Sequence, residues 1–218
     1  MHELTSAAVA LMVCVAAGSY LAGCCNGAII TSFLFYHDDI RKHGSHNAGL
    51  TNFYRVYGGK FAVCVILIDM LKAFVAVKLG SIVFGEYLGL RLEGEYFSAL
   101  FCVIGHIFPI FFKFKGGKGV ATSVGIFAVC CPKAIIIGLT VFALCVLITR
   151  IVSLSSLVAT VTVISLSIVF YDYSAPMLIP SLLSVSMGLT VFLKHKDNIK
   201  RLVKGEEKRI KIRRKSNG

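Results

Sequence analysis

The feature that most constrains this chain is a series of apolar runs separated by short charged loops. The runs fall at residues 4–36, 61–79, 97–112, 120–131, 134–149, 151–171 and 174–193. Mean hydropathy is +0.80 and 56% of the residues are hydrophobic, well above the values of a soluble domain. A helix needs about 20 apolar residues to cross a bilayer. The pattern therefore predicts an all-α polytopic membrane protein with about seven transmembrane helices, some short or broken.

The first and the shorter runs predict irregular membrane segments. Residues 4–36 are too many for one span, and Gly23, Asn26 and Gly27 indicate a break within them. Several later runs are shorter than one span, and irregular backbone at membrane depth is tolerated only around a polar interior. The first three residues lack the basic segment that opens a signal peptide, so we expect the first run to remain as the first span.

The distribution of charge predicts the orientation of the chain. Of the 23 Lys and Arg residues, four lie in 37–60, three in 113–118 and eleven in 194–215. The loop at 80–96 instead carries three glutamates against Arg91. The later loops alternate between a short external loop at 131–133, a cytoplasmic turn at Arg150 and an external loop at 171–173. Because cytoplasmic loops are enriched in Lys and Arg, seven spans place the N-terminus outside and the C-terminus in the cytoplasm. The net charge of +12 then reflects topology and not a nucleic-acid partner.

This orientation also predicts the organisation of the molecule. We expect one transmembrane domain over residues 1–203, in the cytoplasmic membrane of the cell, with all polar motifs facing the cytoplasm. Residues 204–218 form a basic tail, which we expect to lie against anionic headgroups. The eight cysteines lie in or beside apolar runs, without a C-x-x-C or a His/Cys cluster. They are predicted to be reduced core residues, so no metal site and no cofactor is expected.

A glycine-rich loop between two apolar runs has the composition of an anion-binding site. It contains Lys118 flanked by Gly116, Gly117 and Gly119, and a helix is predicted from residue 120. Glycine allows close approach of backbone to a ligand, lysine supplies positive charge, and a helix N-terminus favours an anion. The loop differs from a Walker A loop, because Gly119 and not Ser or Thr follows Lys118. The alternative is a flexible lysine-rich turn between two membrane helices.

A second loop, residues 39–52, is dense in hydroxyl, amide and glycine groups. Its candidate ligand groups are Ser45, Asn47, Thr51 and Asn52, and Arg55 follows as a bidentate phosphate clamp. The alternative is a solvated loop whose Ser and Asn side chains form local turns.

Two pairs of polar residues three positions apart are predicted to share a helix face. Asp69 and Lys72 lie inside the run at 61–79, where they can form an ion pair that either positions a helix or takes part in chemistry. His195 and Asn198 follow the last run and can bind one polar ligand together. The alternative for His195 is an ordinary residue of the membrane interface.

Three segments together resemble one enzyme family. DIRKHGSHNAGLTNFYR, GHIFPIFFKFKGGKGVAT and KHKDNIKRLVKGEE are similar, in this order, to the bacterial acyl-phosphate:glycerol-3-phosphate acyltransferases, the PlsY family. The similarity extends from about residue 20 to residue 207. It implies seven membrane helices and a cytoplasmic site. It also implies transfer of a fatty acyl group from acyl-phosphate to the 1-hydroxyl of glycerol 3-phosphate, giving lysophosphatidic acid and phosphate, the first acylation of phospholipid biosynthesis.

The resemblance also implies roles for individual residues. By motif position, the catalytic residues are Ser45, Lys118, His195 and Asn198. The substrate-binding residues are Asn47, Thr51, Asn52 and Arg55, and the composition of the glycine-rich loop adds Gly116, Gly117 and Gly119. The His-x₄-Asp pair of acyl-CoA-dependent acyltransferases is absent. The family is thought to let a phosphate oxygen of the donor take the hydroxyl proton. A functional link to the enzyme that forms acyl-phosphate is implied as well.

Two positions depart from the family pattern. The usual Gly-Ser-Gly-Asn is replaced by Gly44-Ser45-His46-Asn47. Since His lacks the backbone freedom of Gly, either the loop has an ordinary conformation there or His46 adds a contact of its own. An early Gly-Ser is Gly23-Cys24 here, which removes a hydroxyl group.

Two other functions fit part of the sequence. A transporter of phosphorylated metabolites would suit basic loops and broken spans, but the chain has no evident inverted repeat and its polar motifs lie on one predicted side. A membrane anchor that recruits partners through its basic tail leaves the loops at 44–55 and 116–119 unexplained. The sequence therefore favours the acyltransferase.

Overall fold

The structure, a computed structural model, describes residues 6–171 and 178–210. These residues form ten α-helices and two short 3-10 helices. The α-helices are α1 (Ser6–Cys24), α2 (Gly27–Tyr36), α3 (Leu50–Tyr57), α4 (Ala62–Leu88), α5 (Arg91–Ile107), α6 (Val120–Cys130), α7 (Pro132–Thr149), α8 (Val152–Val169), α9 (Leu178–Lys194) and α10 (Lys196–Val203). The 3-10 helices are Ile40–Lys42 and Ile110–Phe112. Residues 1–5, residues 172–173 of the predicted external loop at 171–173, and residues 211–218 of the basic tail lie outside the described residues.

Four helical segments of the described residues are long and apolar enough to cross a membrane. They are α1, α7, α8 and the segment from Arg91 to Phe112, and a fifth arises if α9 and α10, bent by 62°, count as one span. This confirms a multi-pass, all-helical membrane protein. The total of seven spans stays a prediction. α4 has 27 residues but carries Asp69, Lys72 and Lys78 within its apolar sequence.

The break predicted in the first apolar run is confirmed. α1 ends at Cys24 and α2 begins at Gly27, with Asn26 as its N-cap. The Asn26 side-chain oxygen accepts a hydrogen bond from the Ile29 amide at 3.0 Å. An Asn at this position satisfies one of the free amides of the first helical turn. Asn26 Nδ2 also donates to the Ala48 carbonyl at 3.1 Å. This bond connects the break to the loop at 39–52, which we call the first polar loop because it precedes the glycine-rich loop in the chain.

Two apolar clusters hold the helices together. The larger one joins α4 to α9 and includes Val77, Tyr96, Val103, Ile126 and Met187. The smaller one packs the segment at 40–53 against α2 and α4. Its buried members are Ala28, Ile29, Ile40, Ala48, Phe53, Ala62 and Val65. The first polar loop is therefore anchored from beneath by apolar side chains.

The last described segment folds back on the helices. After α10, the Glu207 carboxylate accepts a hydrogen bond from Ser153 Oγ at 2.9 Å. The Ile210 amide donates to the Arg150 carbonyl at 2.8 Å. Residues 204–210, the described part of the predicted tail, thus contact the turn between α7 and α8.

Candidate functional site

The first polar loop is shaped by one buried amide side chain. Asn52, in α3, is 2% exposed. Its Oδ1 accepts from the Ser45 amide at 2.8 Å, and its Nδ2 donates to the carbonyls of His43 at 3.0 Å and Ile40 at 3.3 Å. The Asn52 side chain is therefore engaged with backbone groups and holds the loop in shape.

His46 resolves the first departure from the family pattern. Its φ is 56°, in the left-handed region that the family's glycine would adopt without strain. A left-handed L-residue costs roughly 1–2 kcal/mol. His46 Nδ1 lies 3.0 Å from the Arg41 carbonyl, so the ring can donate a hydrogen bond there. Of the two alternatives, the structure thus supports the second, in which His46 adds a contact of its own.

Two contacts join the first polar loop to the segment around the glycine-rich loop. Arg41 forms a bidentate pair with Asp39, at 2.9 and 2.7 Å, and its Nη1 donates to the Phe112 carbonyl at 2.7 Å. The pair keeps the pKa of the Asp39 carboxyl below its usual value, because the hydrogen bonds from Arg41 outweigh the effect of burial. The second contact is between Ala48 and Gly117, since a Cβ on Gly117 would lie 2.7 Å from the Ala48 carbonyl oxygen.

The amides of the glycine-rich loop do not all point toward a ligand. The Gly116 amide donates to the Ile107 carbonyl at 3.2 Å, and the Gly117 amide donates to the His106 carbonyl at 3.1 Å. These two N–H groups therefore tie the loop to the end of α5, and the assignment of Gly116 and Gly117 to substrate binding stays a prediction. Gly119, with φ of 87°, is the N-cap of α6.

Lys118 extends from this loop to the first turn of α10. Its Nζ donates to Asn198 Oδ1. Burial lowers the pKa of Lys118 to about 8; the positive charges of Arg201 and Arg55 also lower the pKa, and Glu207 opposes them. The protein groups around Lys118 do not supply enough negative charge to balance its ammonium, so the site favours an anionic ligand.

The turn between α9 and α10 supplies the partners of Lys118. His195 is 2% exposed, and its Nδ1 lies 2.8 Å from the Val191 carbonyl, which leaves Nε2 as the hydrogen-bond acceptor of a neutral ring. Asn198 Nδ2 donates to Glu207 Oε1 at 2.6 Å, and this contact directs Asn198 Oδ1 toward Lys118. Of the predicted pair, Asn198 thus bonds the predicted lysine, and burial, followed by the nearby charge of Lys118, lowers the pKa of the His195 ring.

Four further predicted residues lie on the first polar loop and α3. Within the described residues, the side chains of Ser45, Asn47, Thr51 and Arg55 make no hydrogen bond or ion pair. Ser45 and Arg55 are exposed, and Asn47 and Thr51 are half-buried. Arg55 is close enough for its charge to act on Lys118. The structure therefore brings Arg55 of α3 and Asn198 and Arg201 of α10 near Lys118.

A buried charged cluster lies behind the glycine-rich loop. The predicted pair of Asp69 and Lys72 is present, with 2.8 Å between Lys72 Nζ and Asp69 Oδ1. His106 joins it, because its Nδ1 lies 2.9 Å from Lys72 Nζ. The three residues are 1%, 9% and 2% exposed.

Two residues next to Asn198, namely Arg201 and Glu207, were missed as site residues by sequence reasoning. Glu207 accepts from Arg201 Nε at 2.6 Å as well as from Asn198 and Ser153. Both residues stand in the third quoted segment, and Arg201 is three positions from Asn198, so the spacing was a usable signal.

Among the described residues, no group of three His, Cys, Asp or Glu side chains is placed to hold a metal ion.

Comparison with known proteins identifies relatives along nearly the whole chain. The profile of the family described as glycerol-3-phosphate acyltransferase matches residues 13–205. A glycerol-3-phosphate acyltransferase of Finegoldia magna is 38% identical over 191 residues, covering 88% of this chain and 92% of the relative.

Solved structures show the same fold. The crystal structure of PlsY, an integral membrane glycerol 3-phosphate acyltransferase, in its glycerol 3-phosphate form matches with a TM-score of 0.79 at 30% identity. The match covers 92% of this chain and 96% of that one. The lysophosphatidic acid form of PlsY matches with a TM-score of 0.77 at 29% identity and covers 92% and 95%.

Proposed function

The chain belongs to the glycerol-3-phosphate acyltransferase family, and we propose that its acyl donor is acyl-phosphate. The reaction then joins a fatty acyl group to the 1-hydroxyl of glycerol 3-phosphate and releases phosphate, with lysophosphatidic acid as product. Two phosphorylated substrates must be held together, so their mutual repulsion has to be offset by fixed positive charge.

The observation that best supports this proposal is the half-buried Lys118, bonded to Asn198 and under the influence of Arg55 and Arg201. Three cationic side chains near one amide suit phosphoryl groups better than a neutral ligand. Ser45, Asn47 and Thr51, without side-chain partners in the described part of the chain, can add neutral hydrogen bonds. One relative, PlsY, has been solved in a glycerol 3-phosphate form and in a lysophosphatidic acid form.

The chemistry needs one proton acceptor and stabilisation of one oxyanion. The glycerol hydroxyl oxygen attacks the acyl carbonyl carbon, a new C–O bond forms, and the bond from that carbon to the phosphate oxygen breaks. The leaving phosphate takes the electron pair, and one of its oxygens receives the hydroxyl proton. The protein then supplies position and charge, with Lys118 and Arg55 stabilising the phosphate that departs.

We also propose a seven-span topology, with the N-terminus outside and the site facing the cytoplasm. With α9 and α10 counted as the fifth span, α4 adds a sixth that carries buried charges, and the 11-residue α6 adds a short seventh. The proposed placement puts every basic loop on one side, as the positive-inside rule requires. Residues 1–203 then form one transmembrane domain in the cytoplasmic membrane, and 204–218 its basic extension.

The donor is tested with purified protein in detergent or lipid. Labelled glycerol 3-phosphate is supplied with either palmitoyl-phosphate or palmitoyl-CoA, and lysophosphatidic acid is measured. We expect product only with the acyl-phosphate. The thioester donor lacks the phosphate oxygen that accepts the proton, and the sequence carries no His-x₄-Asp pair to replace it. Turnover with the CoA thioester but not with the acyl-phosphate would refute the donor assignment.

A further inference from the structure

The buried cluster of Asp69, Lys72 and His106 joins three parts of the site. Lys72 Nζ donates to the carbonyls of Gly23 at 3.0 Å and Cys25 at 2.8 Å, at the break between α1 and α2. Asp69 Oδ1 accepts from the Gly27 amide at 3.0 Å, on the other side of the same break. The cluster therefore connects the α1–α2 break, α4 and the end of α5.

The contacts of Lys72 determine which nitrogen of His106 carries the proton. An ammonium group has three donors and no acceptor. Four acceptors surround the three hydrogens of Lys72 Nζ, namely the Gly23 and Cys25 carbonyls, Asp69 Oδ1 and His106 Nδ1, so two of them share one hydrogen. A hydrogen on His106 Nδ1 would point at this ammonium 2.9 Å away, which favours Nδ1 as an acceptor. Asp69 Oδ1, 3.3 Å from Nδ1, already accepts from Lys72 and from Gly27. One carboxylate, one ammonium and one neutral imidazole also leave the buried cluster without net charge.

The other nitrogen of His106 faces the seam between the two polar loops. A Cβ on Gly117 would collide with His106 Nε2, and the same position is 2.7 Å from the Ala48 carbonyl oxygen. Within residues 6–171 and 178–210, His106 Nε2 has no hydrogen-bond partner. A neutral imidazole with Nδ1 as acceptor carries its proton on Nε2. The ring therefore presents an unused N–H group where the glycine-rich loop meets the loop at 44–49.

We propose that His106 is a substrate-binding residue whose Nε2–H donates a hydrogen bond to a phosphoryl oxygen at this seam. Lys72 and Asp69 are its positioning residues, since they fix the tautomer and the orientation of the ring. This inference rests on the proposed function, because it supplies the phosphorylated ligand. A neutral donor here complements the cations at Lys118 and Arg55 without adding repulsion to the buried cluster.

Two substitutions of His106 separate its two nitrogens. In His106→Gln the side-chain amide reaches the position of Nε2 and can still donate there. In His106→Asn the amide reaches only the position of Nδ1 and can still accept from Lys72. Loss of a hydrogen bond to a charged ligand corresponds to a decrease of about 10- to 150-fold in kcat/KM. We expect His106→Asn to show this decrease in kcat/KM for glycerol 3-phosphate and His106→Gln to stay within about threefold of the parent.

The matched control is His37→Gln, which changes an exposed histidine outside both loops and should leave activity unchanged. Three outcomes overturn the proposal: activity kept by His106→Asn but lost by His106→Gln, equal loss in both, or no loss in either. The first of these would assign His106 to the contact with Lys72 alone.

A second measurement does not depend on turnover. In protein labelled with ¹⁵N-histidine, the His106 resonances are assigned as those missing from either variant that folds. We expect a protonated Nε2 and an unprotonated Nδ1, and a shift of Nε2 when inorganic phosphate or glycerol 3-phosphate is added. A proton on Nδ1, or an Nε2 signal that neither phosphate moves, contradicts the proposal. If the parent lacks acyltransferase activity but shows this tautomer and this shift, the reaction assignment fails while the phosphate contact stands.

Discussion

Lys118 lies in a half-buried position where its charge has few protein partners. Its ammonium meets Asn198, while Arg55 and Arg201 add positive charge nearby. Truncating a charged contact to a desolvated phosphate costs about 2–5 kcal/mol, roughly 30-fold to several thousand-fold in rate. We therefore expect Lys118→Ala to remove nearly all lysophosphatidic acid formation while the protein still inserts and folds.

The matched control for this substitution is Lys113→Ala. Lys113 is exposed and ends the 3-10 helix before the glycine-rich loop. Its loss should reduce kcat/KM far less than the loss of Lys118. A Lys118→Ala enzyme within about threefold of the parent, or about 0.7 kcal/mol, would show that the loop is only a turn between membrane helices.

The same residue predicts the alkaline side of the pH profile. Burial lowers the pKa of Lys118 to about 8, so the ammonium loses its proton as the pH rises through that value. Glycerol 3-phosphate stays dianionic there, because the second pKa of a phosphate monoester is about 6. We expect kcat/KM for glycerol 3-phosphate to fall above about pH 8.

Lys118→Arg tests the assignment of this decline. Arginine remains charged at all accessible pH values, although its planar group fits the contact with Asn198 less well. The variant should have lower activity at pH 7 and no decline near pH 8. A decline at the same pH in Lys118→Arg would assign it to another group.

For individual residues, the sequence predicted membership of the site better than it predicted the contacts of each side chain or amide. The glycine pattern indicated an anion site, but the amides of Gly116 and Gly117 are bonded to α5. Asn52 was assigned to substrate, yet its side chain bonds three backbone groups. Composition identifies groups able to bind phosphate, whereas their actual partners depend on chain segments far away in sequence.

The position of helix α10 depends on Glu207, which lies outside that helix. The Glu207 carboxylate accepts from Asn198 and Arg201 of α10 and from Ser153 of α8. Burial alone would raise the pKa of the Glu207 carboxyl, but these hydrogen bonds lower it. The carboxylate thereby fixes the direction of the Asn198 amide and holds α10 against α8.

We expect Glu207→Gln to weaken both functions of this contact. A Gln side chain removes the ion pair with Arg201, and its amide group can meet Asn198 Nδ2 with a donor instead of an acceptor. Hydrogen bonds to a charged group contribute about 1.5–3 kcal/mol each, so the midpoint of thermal unfolding in detergent should fall, and KM for glycerol 3-phosphate should rise.

Glu206→Gln is the control, because Glu206 is exposed and its side chain has no partner among the described residues. It should change neither the unfolding midpoint nor KM. Equal behaviour of the two variants would remove Glu207 from the support of Asn198.

Across the whole molecule, the apolar runs predicted the helical class and the break at Asn26, because burial in lipid leaves few alternatives for the backbone. The ends of the helices were predicted less well. The run at 61–79 corresponds to the 27-residue α4, which ends at Leu88, inside the predicted external loop at 80–96. The contact of His106 with Lys72 could not be predicted either, since it joins α4 to α5 through side-chain geometry and not through sequence spacing.

The orientation of the molecule is the last prediction, and it follows from charge. Eleven Lys and Arg residues in 194–215 contrast with Arg91 and Lys133 in the proposed external loops. Since positive residues are retained in the cytoplasm, alkaline phosphatase fused after Gly218 should be inactive, and a fluorescent protein fused there should fold. Phosphatase fused after Gly89 should be active. Phosphatase fused after Lys133 should be active as well, and this second fusion tests whether the short α6 crosses the membrane. Active phosphatase after Gly218 would invert the topology and move the site to the outer face.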